Sequence, residues 1–137
     1  MLDRILFRTK AVEKSLDASL LRNETIAQNI ANVDTPGYNR KAVSFEEELS
    51  EAISKSSSFK GRRTDPRHIP IGKRNIDEVG IKAYEDKSSF DMRLDGNNVD
   101  IENEMAQMAE NNIRYEVLIQ RLTGSFRKMK SVIREGR

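Results

Sequence analysis

The chain has 137 residues, of which 36% are apolar and 34% charged, with neither Trp nor Cys; 24 basic and 22 acidic side chains leave a formal net charge of +2. Without cysteine there is no disulfide framework, thiolate metal site or thiol nucleophile, and the near-balanced charge gives no overall pull toward nucleic acid. One compact domain is the prior at this length, yet the low apolar fraction suits an elongated helical protein with a narrow seam, or a partly disordered chain, better than an ordinary single core. No apolar run approaches the ~20 residues of a membrane helix. The amphipathic first eight residues lack the apolar core and small-residue cleavage site of a secretory signal, so composition alone reads cytoplasmic.

In chain order, the first pattern is Leu2, Ile5, Thr9, Val12, Leu16, Ser19, Asn23, Ile26, Ile30 and Val33, spaced by threes and fours, with Leu20 and Ala27 widening the stripe. It predicts a helix from about residue 3 to residue 32. Asp34-Thr35-Pro36-Gly37 stops it, because Pro restricts the residue before it and Gly suits the positive φ of a tight turn. Ser44 followed by Glu47 reads as a capping box, opening a short amphipathic helix with Phe45, Leu49 and Ile53 on its apolar face. Residues 55–58 and 60–63 form a polar link, and residues 60–74 set six cations against the single Asp65. Weak strand character follows around residues 81–84 and 90–94, before an Asp95-Gly96 turn.

The last third carries the strongest signal. Ile101, Met105, Met108, Asn112, Tyr115, Ile119, Leu122, Phe126, Met129 and Ile133 alternate in steps of four and three. That is a heptad seam, with Ile101, Met108, Tyr115, Leu122 and Met129 at d and the others at a. Asp100, Glu102 and Glu104 lie at its start, and Arg127, Lys128, Lys130 and Arg134 near its end, each matching the helix dipole. A helix over residues 101–133 is about 50 Å long, more than a small globule needs.

The fold class expected is therefore mostly α: long N- and C-terminal helices forming an antiparallel coiled coil, with a small irregular, weakly β middle segment. Three units follow: residues 1–34 as the N-terminal helix, 35–98 as turn, short helix and irregular middle, and 99–137 as the C-terminal helix. With the free ends level, Leu2 lies near Ile133 and Asn23 near Asn112. Two apposed amides there can satisfy each other and pin the register; the alternative is that both face water at the edge of the seam. A narrow, polar-interrupted helix pair is also marginal as a monomer, so the termini are expected to order on assembly.

Sites for chemistry are missing. His68, the single histidine, sits in a Pro-flanked extended segment with no cysteine to complete a metal or catalytic set. Residues 95–100 resemble a calcium loop only superficially, lacking its Gly and terminal Glu, and read better as a turn and helix N-cap. Asn23-Glu24-Thr25 matches a glycosylation sequon by chance, inside a predicted helix. No phosphate loop occurs, the basic stretches lack interleaved aromatics for base stacking, and Met105, Met108 and Met129 read as seam filler. No catalytic residue, cofactor, metal, small-molecule substrate or nucleic-acid partner is expected.

Residues 29–38, Asn-Ile-Ala-Asn-Val-Asp-Thr-Pro-Gly-Tyr, resemble the signature of the flagellar rod, hook and hook-associated family, in which an N-terminal helix ends in such a turn. Residues 95–105 with 109–115, and Thr64-Asp-Pro-Arg-His-Ile69, are similar to the family's proximal rod members, and the likeness spans nearly the whole chain. The resemblance implies a structural subunit of the proximal rod of the bacterial flagellar basal body, required for flagellum assembly and motility. It implies export through the flagellar type III apparatus without a cleaved signal, and a final place in the rod within the periplasmic space. Implied partners are the chain itself and other rod proteins, the MS ring–rod junction protein, the MS ring and, transiently, the export gate. On that reading the assembly seam comprises Ile5, Val12, Leu16, Asn23, Ile26 and Ile30 with the ten C-terminal heptad positions, and Asn32, Thr35, Pro36, Gly37 and Tyr38 form the family turn. Phe45 and Leu49 resemble a short Phe-x-x-x-aliphatic export-gate motif; they also suit the apolar face of the short helix. A cytoplasmic coiled-coil adaptor is the competing reading, weighed against by the turn signature, and a basic nucleic-acid-binding module is third.

Overall fold

The structure is a computed structural model that describes residues 2–54, 65, 67, 76, 79–86 and 95–135, excepting the side chains of 2–6, 53 and 54. Helix α1 spans Leu2–Ala31 and helix α3 spans Ile101–Glu135, with a short helix α2 at Glu46–Ser54 between them. Strands β1, Lys41–Ser44, and β2, Lys82–Glu85, pair antiparallel with Lys41 opposite Glu85 and Ser44 opposite Lys82. The mostly α architecture with a small β middle is as the heptad patterns indicate.

α1 and α3 pack antiparallel. Asn29 meets Glu104, whereas Ser19 and Asn23, earlier in α1, meet Asn111 and Asn112, later in α3, so the two helices run in opposite directions. The pair has a closed end, where α1 stops and α3 starts, and a free end carrying the start of α1 and the last turns of α3. Asn23 donates from Nδ2 to Asn112 Oδ1 at 3.0 Å, the amide contact that the heptad register anticipates. Asn111 adds to it, donating to the Asn23 side chain at 2.7 Å and to the Ser19 carbonyl at 2.8 Å. A buried amide such as Asn111 tolerates few alternative registers, because a slip leaves it unpaired. Within α1, the hydroxyls of Ser15, Ser19 and Thr25 bond back to carbonyls one turn earlier, so these seam positions need no partner from α3.

The ten α3 heptad positions divide between two faces. Met108, Tyr115, Leu122 and Met129 are half-buried, whereas Ile101, Met105, Asn112, Ile119, Phe126 and Ile133 are exposed. The second row turned toward α1 is instead Glu104, Asn111, Leu118 and Ser125, of which Glu104 and Asn111 are fully buried. The expectation of a single seam facing α1 is corrected accordingly, and the cause is polar: Asn29, Arg40 and the Ser19 carbonyl offer partners that Glu104 and Asn111 can use and a methionine or isoleucine cannot. On α1, Leu20 and Ala27 are also exposed, and Ala18, Thr25 and Asn29 are buried instead.

The apolar core is small and off-centre. Ala18, Phe45, Ala52 and Val79 cluster with Leu49 and Ile81 beside them, so α2 lies over the middle of α1. Ser44 is the last residue of β1 rather than a helix cap, and the first α2 bond runs from the Leu49 amide to the Phe45 carbonyl. Strand pairing has claimed the residue that the capping-box pattern assigned to the helix. β1 itself is four residues without clear alternation and was not foreseen. Residues 90–94, most of the basic stretch 60–74 and His68 lie outside the described residues.

Among the described residues of α1 and α3, full burial is confined to the closed end and centre. No described residue of α1 before Ala18, and none of α3 after Asn111, is fully buried. Amide hydrogen exchange on the free chain is therefore expected to be slowest around residues 23–31 and 104–112 and to quicken toward both free-end termini, because local opening follows buried contact density. Uniform protection along both helices contradicts this.

Candidate assembly site

Two features stand out, a buried polar lock at the closed end and an exposed apolar stripe along α3. The lock begins where α1 ends. In the turn just after the helix, the Asn97 Nδ2 lies 3.0, 2.9 and 2.9 Å from the carbonyls of Asn32, Val33 and Thr35. The Asn97 Oδ1 accepts from the Val99 amide at 2.8 Å, so this fully buried side chain is satisfied at both ends. Gly37 (φ 68°) and Gly96 (φ 77°) occupy the left-handed region, which side-chain-bearing residues rarely adopt. The Gly37 amide donates to the Asp95 carbonyl at 2.9 Å, joining the two turns. Asp100 then caps α3, accepting from the Glu102 amide at 3.0 Å.

One turn earlier, Asn29 is wholly buried and reads the backbone of β1 as a neighbouring strand would. Its Oδ1 accepts from the Lys41 amide at 2.9 Å and its Nδ2 donates to the Lys41 carbonyl at 2.8 Å. The same Nδ2 donates to Glu104 Oε2 at 3.0 Å, and the Tyr38 hydroxyl donates to Asn29 Oδ1 at 3.3 Å. Arg40 closes the network with its whole fork: Nε to Glu104 Oε1 at 2.6 Å, Nη1 to Asp86 Oδ2 at 3.0 Å and Nη2 to Gln107 Oε1 at 2.9 Å. Its backbone amide donates to Asn98 Oδ1 at 2.6 Å, and Asn98 Nδ2 reaches the Asp86 carbonyl at 3.0 Å.

The charges are mutually dependent. Burial by itself lowers the Arg40 pKa, but the hydrogen bond and charge of Glu104, with Asp86, outweigh it and hold the guanidinium above its ordinary value. Burial pushes the Tyr38 phenol up, and the Glu104 and Glu85 carboxylates add to the shift. At the edge of the groove between the helices, burial would raise the Glu46 carboxyl. The Arg22 bond at 2.6 Å, its own backbone amide and the charges of Arg22 and Arg114 reverse this and leave it below its usual value. Among the described residues no cluster of His, Cys, Asp and Glu is arranged to hold a metal ion. Nor is any helix there long and apolar enough to cross a membrane.

Of the turn residues singled out from the sequence, Asn32 and Tyr38 are half-buried and Thr35, Pro36 and Gly37 are exposed. Asn29, Arg40, Asn97, Asn98 and Glu104 were missed as lock residues; the one available signal was that all but Arg40 fall inside the family-like motifs at 29–38 and 95–105. Phe45 is buried and Leu49 half-buried, both on the core side of α2. In the α1 seam Ile26 is buried and Val12, Leu16, Asn23 and Ile30 are half-buried, while the Ile5 side chain lies outside the described set.

The stripe is the second feature. Met105 (60% exposed), Ile119 (39%), Phe126 (49%) and Ile133 (75%) share one heptad row beside the α1-facing seam, interrupted by Asn112. A row of large apolar side chains over most of a 35-residue helix is more than scattered surface hydrophobics account for.

Comparison with known proteins places these features. Residues 16–39, the second half of α1 and the turn, match the family model of the flagella basal body rod protein. The chain is 35% identical over 126 residues to the flagellar basal body rod protein FlgB of Bacillus subtilis (strain 168), covering 92% of each chain. The chain belongs to the FlgB family of flagellar basal-body rod proteins. It is also 30% identical to FlgB of Escherichia coli (strain K12) over 99% of both chains. With FlgB of Borrelia hermsii it is 33% identical over 87% of this chain and 90% of that one. FlgB-family membership makes this a structural rod protein rather than an enzyme. The segment matching the rod model includes Asn29, Asn32, Thr35, Gly37 and Tyr38, which meet the closed-end lock.

Proposed function

We infer that the chain is a subunit of the proximal rod, exported unfolded by the flagellar type III apparatus and assembled next to the MS ring through its terminal helices. Residues 1–34 and 99–137 are the assembling units, joined by the middle segment of residues 35–98. The observation that carries this reading is the uncovered stripe of Met105, Ile119, Phe126 and Ile133, which α1 leaves bare. Burying such a row against neighbouring helices releases apolar surface from water at ~25 cal/mol per Å². Contacts that do not close within the subunit build an open array rather than a finished globule. Other rod proteins, the ring–rod junction protein and the MS ring are the neighbours this placement requires, with the export gate as a transient partner.

Electron microscopy of basal bodies from an in-frame deletion strain tests the assignment. MS rings without rods, with rods and motility returning on complementation, are expected; complete rods and hooks in the deletion strain contradict it.

Phe45 and Leu49 test the export step. Both pack in the core of the folded subunit, so an export gate meets them only in the unfolded chain. Replacing both by Ala weakens the fold, which by itself eases export of an unfolded substrate. Secretion is nevertheless expected to fall at least about tenfold, the effect of losing roughly 1.4 kcal/mol of recognition. Secretion at the wild-type rate removes the motif.

A further inference from the structure

One row of α3, Met108, Tyr115, Leu122 and Met129, is half-buried against α1. Its companion on the α1 side is Glu104, Asn111, Leu118 and Ser125, whereas the row on its other flank, Met105, Asn112, Ile119 and Phe126, stays exposed. Exchanging the two companions takes a roll of the helix by roughly 50°, half the ~100° between successive helical residues. Beyond Asn111 apolar burial favours that exchange, since Ile119 and Phe126 carry more apolar surface than Leu118 and Ser125. Two polar contacts oppose it. At the start of α3 Glu104 is held by Arg40 and Asn29. Seven residues on, Asn111 is 2% exposed and donates to the Ser19 carbonyl at 2.8 Å and to Asn23 Oδ1 at 2.7 Å. No described residue of α3 after Asn111 is fully buried, so this is the last such contact before the free end. The Asn111 Oδ1 has no hydrogen-bond partner among the described residues. A buried acceptor left unmet costs stability. Asn111 is therefore poorly suited to tightening the helix pair and well suited to fixing how it is turned, because an amide accepts only the geometry its partners set.

Resting on the rod-subunit reading for the use of the outward row, we propose that Asn111 is a rotational pin that keeps Ile119 and Phe126 turned away from α1 and open to neighbouring subunits. Without the pin, apolar burial inside the single subunit draws these side chains against α1, and the subunit covers its own assembly row. Asn111 is on this account a positioning residue, which gives up stability in the free chain to preserve a surface for the assembled one.

The test reads the turn of α3 in the full free chain. Single cysteines, Ile119→Cys or Ser125→Cys, are labelled with a thiol reagent, each with and without Asn111→Leu, a substitution that keeps the branched shape and removes the amide. Labelling at position 119 is expected to slow and at position 125 to quicken, the ratio of the two rates moving at least about fivefold. A helix that is merely loosened quickens both, and an unaffected helix changes neither; either result overturns the pin. Circular dichroism checks that each variant is folded, and Asn111→Ala, which adds no bulk, must move the two rates in the same opposite directions. In the deletion strain Asn111→Leu is expected to be secreted and to build no rods. Normal rods from it overturn the part of the pin in assembly and leave the rod assignment standing. If the deletion strain itself builds complete rods, the rod reading fails, while the labelling result on the free chain is untouched.

Discussion

Replacing Arg40 by Ala is expected to destabilise the subunit by about 3–5 kcal/mol, the range for removing one partner of a buried charge pair. Arg40 meets Glu104, a wholly buried carboxylate, at 2.6 Å, and also holds Asp86 and Gln107. Without it Glu104 keeps only the Asn29 amide, and three acceptors lose a donor at once. A surface ion pair of the same chemistry is worth ~0–1 kcal/mol, so the size of the loss reports burial. Urea denaturation of Arg40→Ala, Glu104→Leu and the double variant Arg40→Ala/Glu104→Leu checks it. The double variant should lose less than the sum of the single changes, because it strands no buried charge. A loss below about 1 kcal/mol for Arg40→Ala, within the range of exposed pairs, contradicts the lock.

The second large effect concerns assembly, not stability. Ile119→Asp combined with Phe126→Asp is expected to leave the free chain folded, since both side chains lie at the surface, 39% and 49% exposed, and substitutions at exposed positions are usually within about 0.5 kcal/mol. In the rod the same changes place carboxylates in an apolar contact, where an unpaired charge costs far more. Swimming should be lost and rods missing from basal bodies, although the variant has wild-type helicity and is secreted. Normal rods built from this variant show that the stripe is not an assembly surface.

The helices and their direction were legible because heptad spacing over about 30 residues is a strong signal, and the Asn23–Asn112 contact followed from register alone. The lock was not legible. A Glu or Asn on a helix reads as solvated until a partner is known, and the partners of Glu104 and Asn29 lie on β1 and its lead-in, far away in sequence. The same blindness misplaced half of the α3 seam. Periodicity finds apolar rows but cannot say that a buried polar row, Glu104 and Asn111, turns the helix so that an apolar row faces outward. β1 was missed because four residues hold too little pattern, and the same pairing displaced the α2 cap from Ser44.

The chain has no cysteine, which makes one measurement unusually direct. A single Ile119→Cys variant that supports motility can be labelled with a thiol reagent, both as the free chain and in isolated basal bodies. Rapid labelling of the free chain and strong protection in basal bodies is the result expected if this helix face is covered by neighbouring subunits in the rod. Equal labelling in both, or absence of the protein from basal bodies, contradicts it.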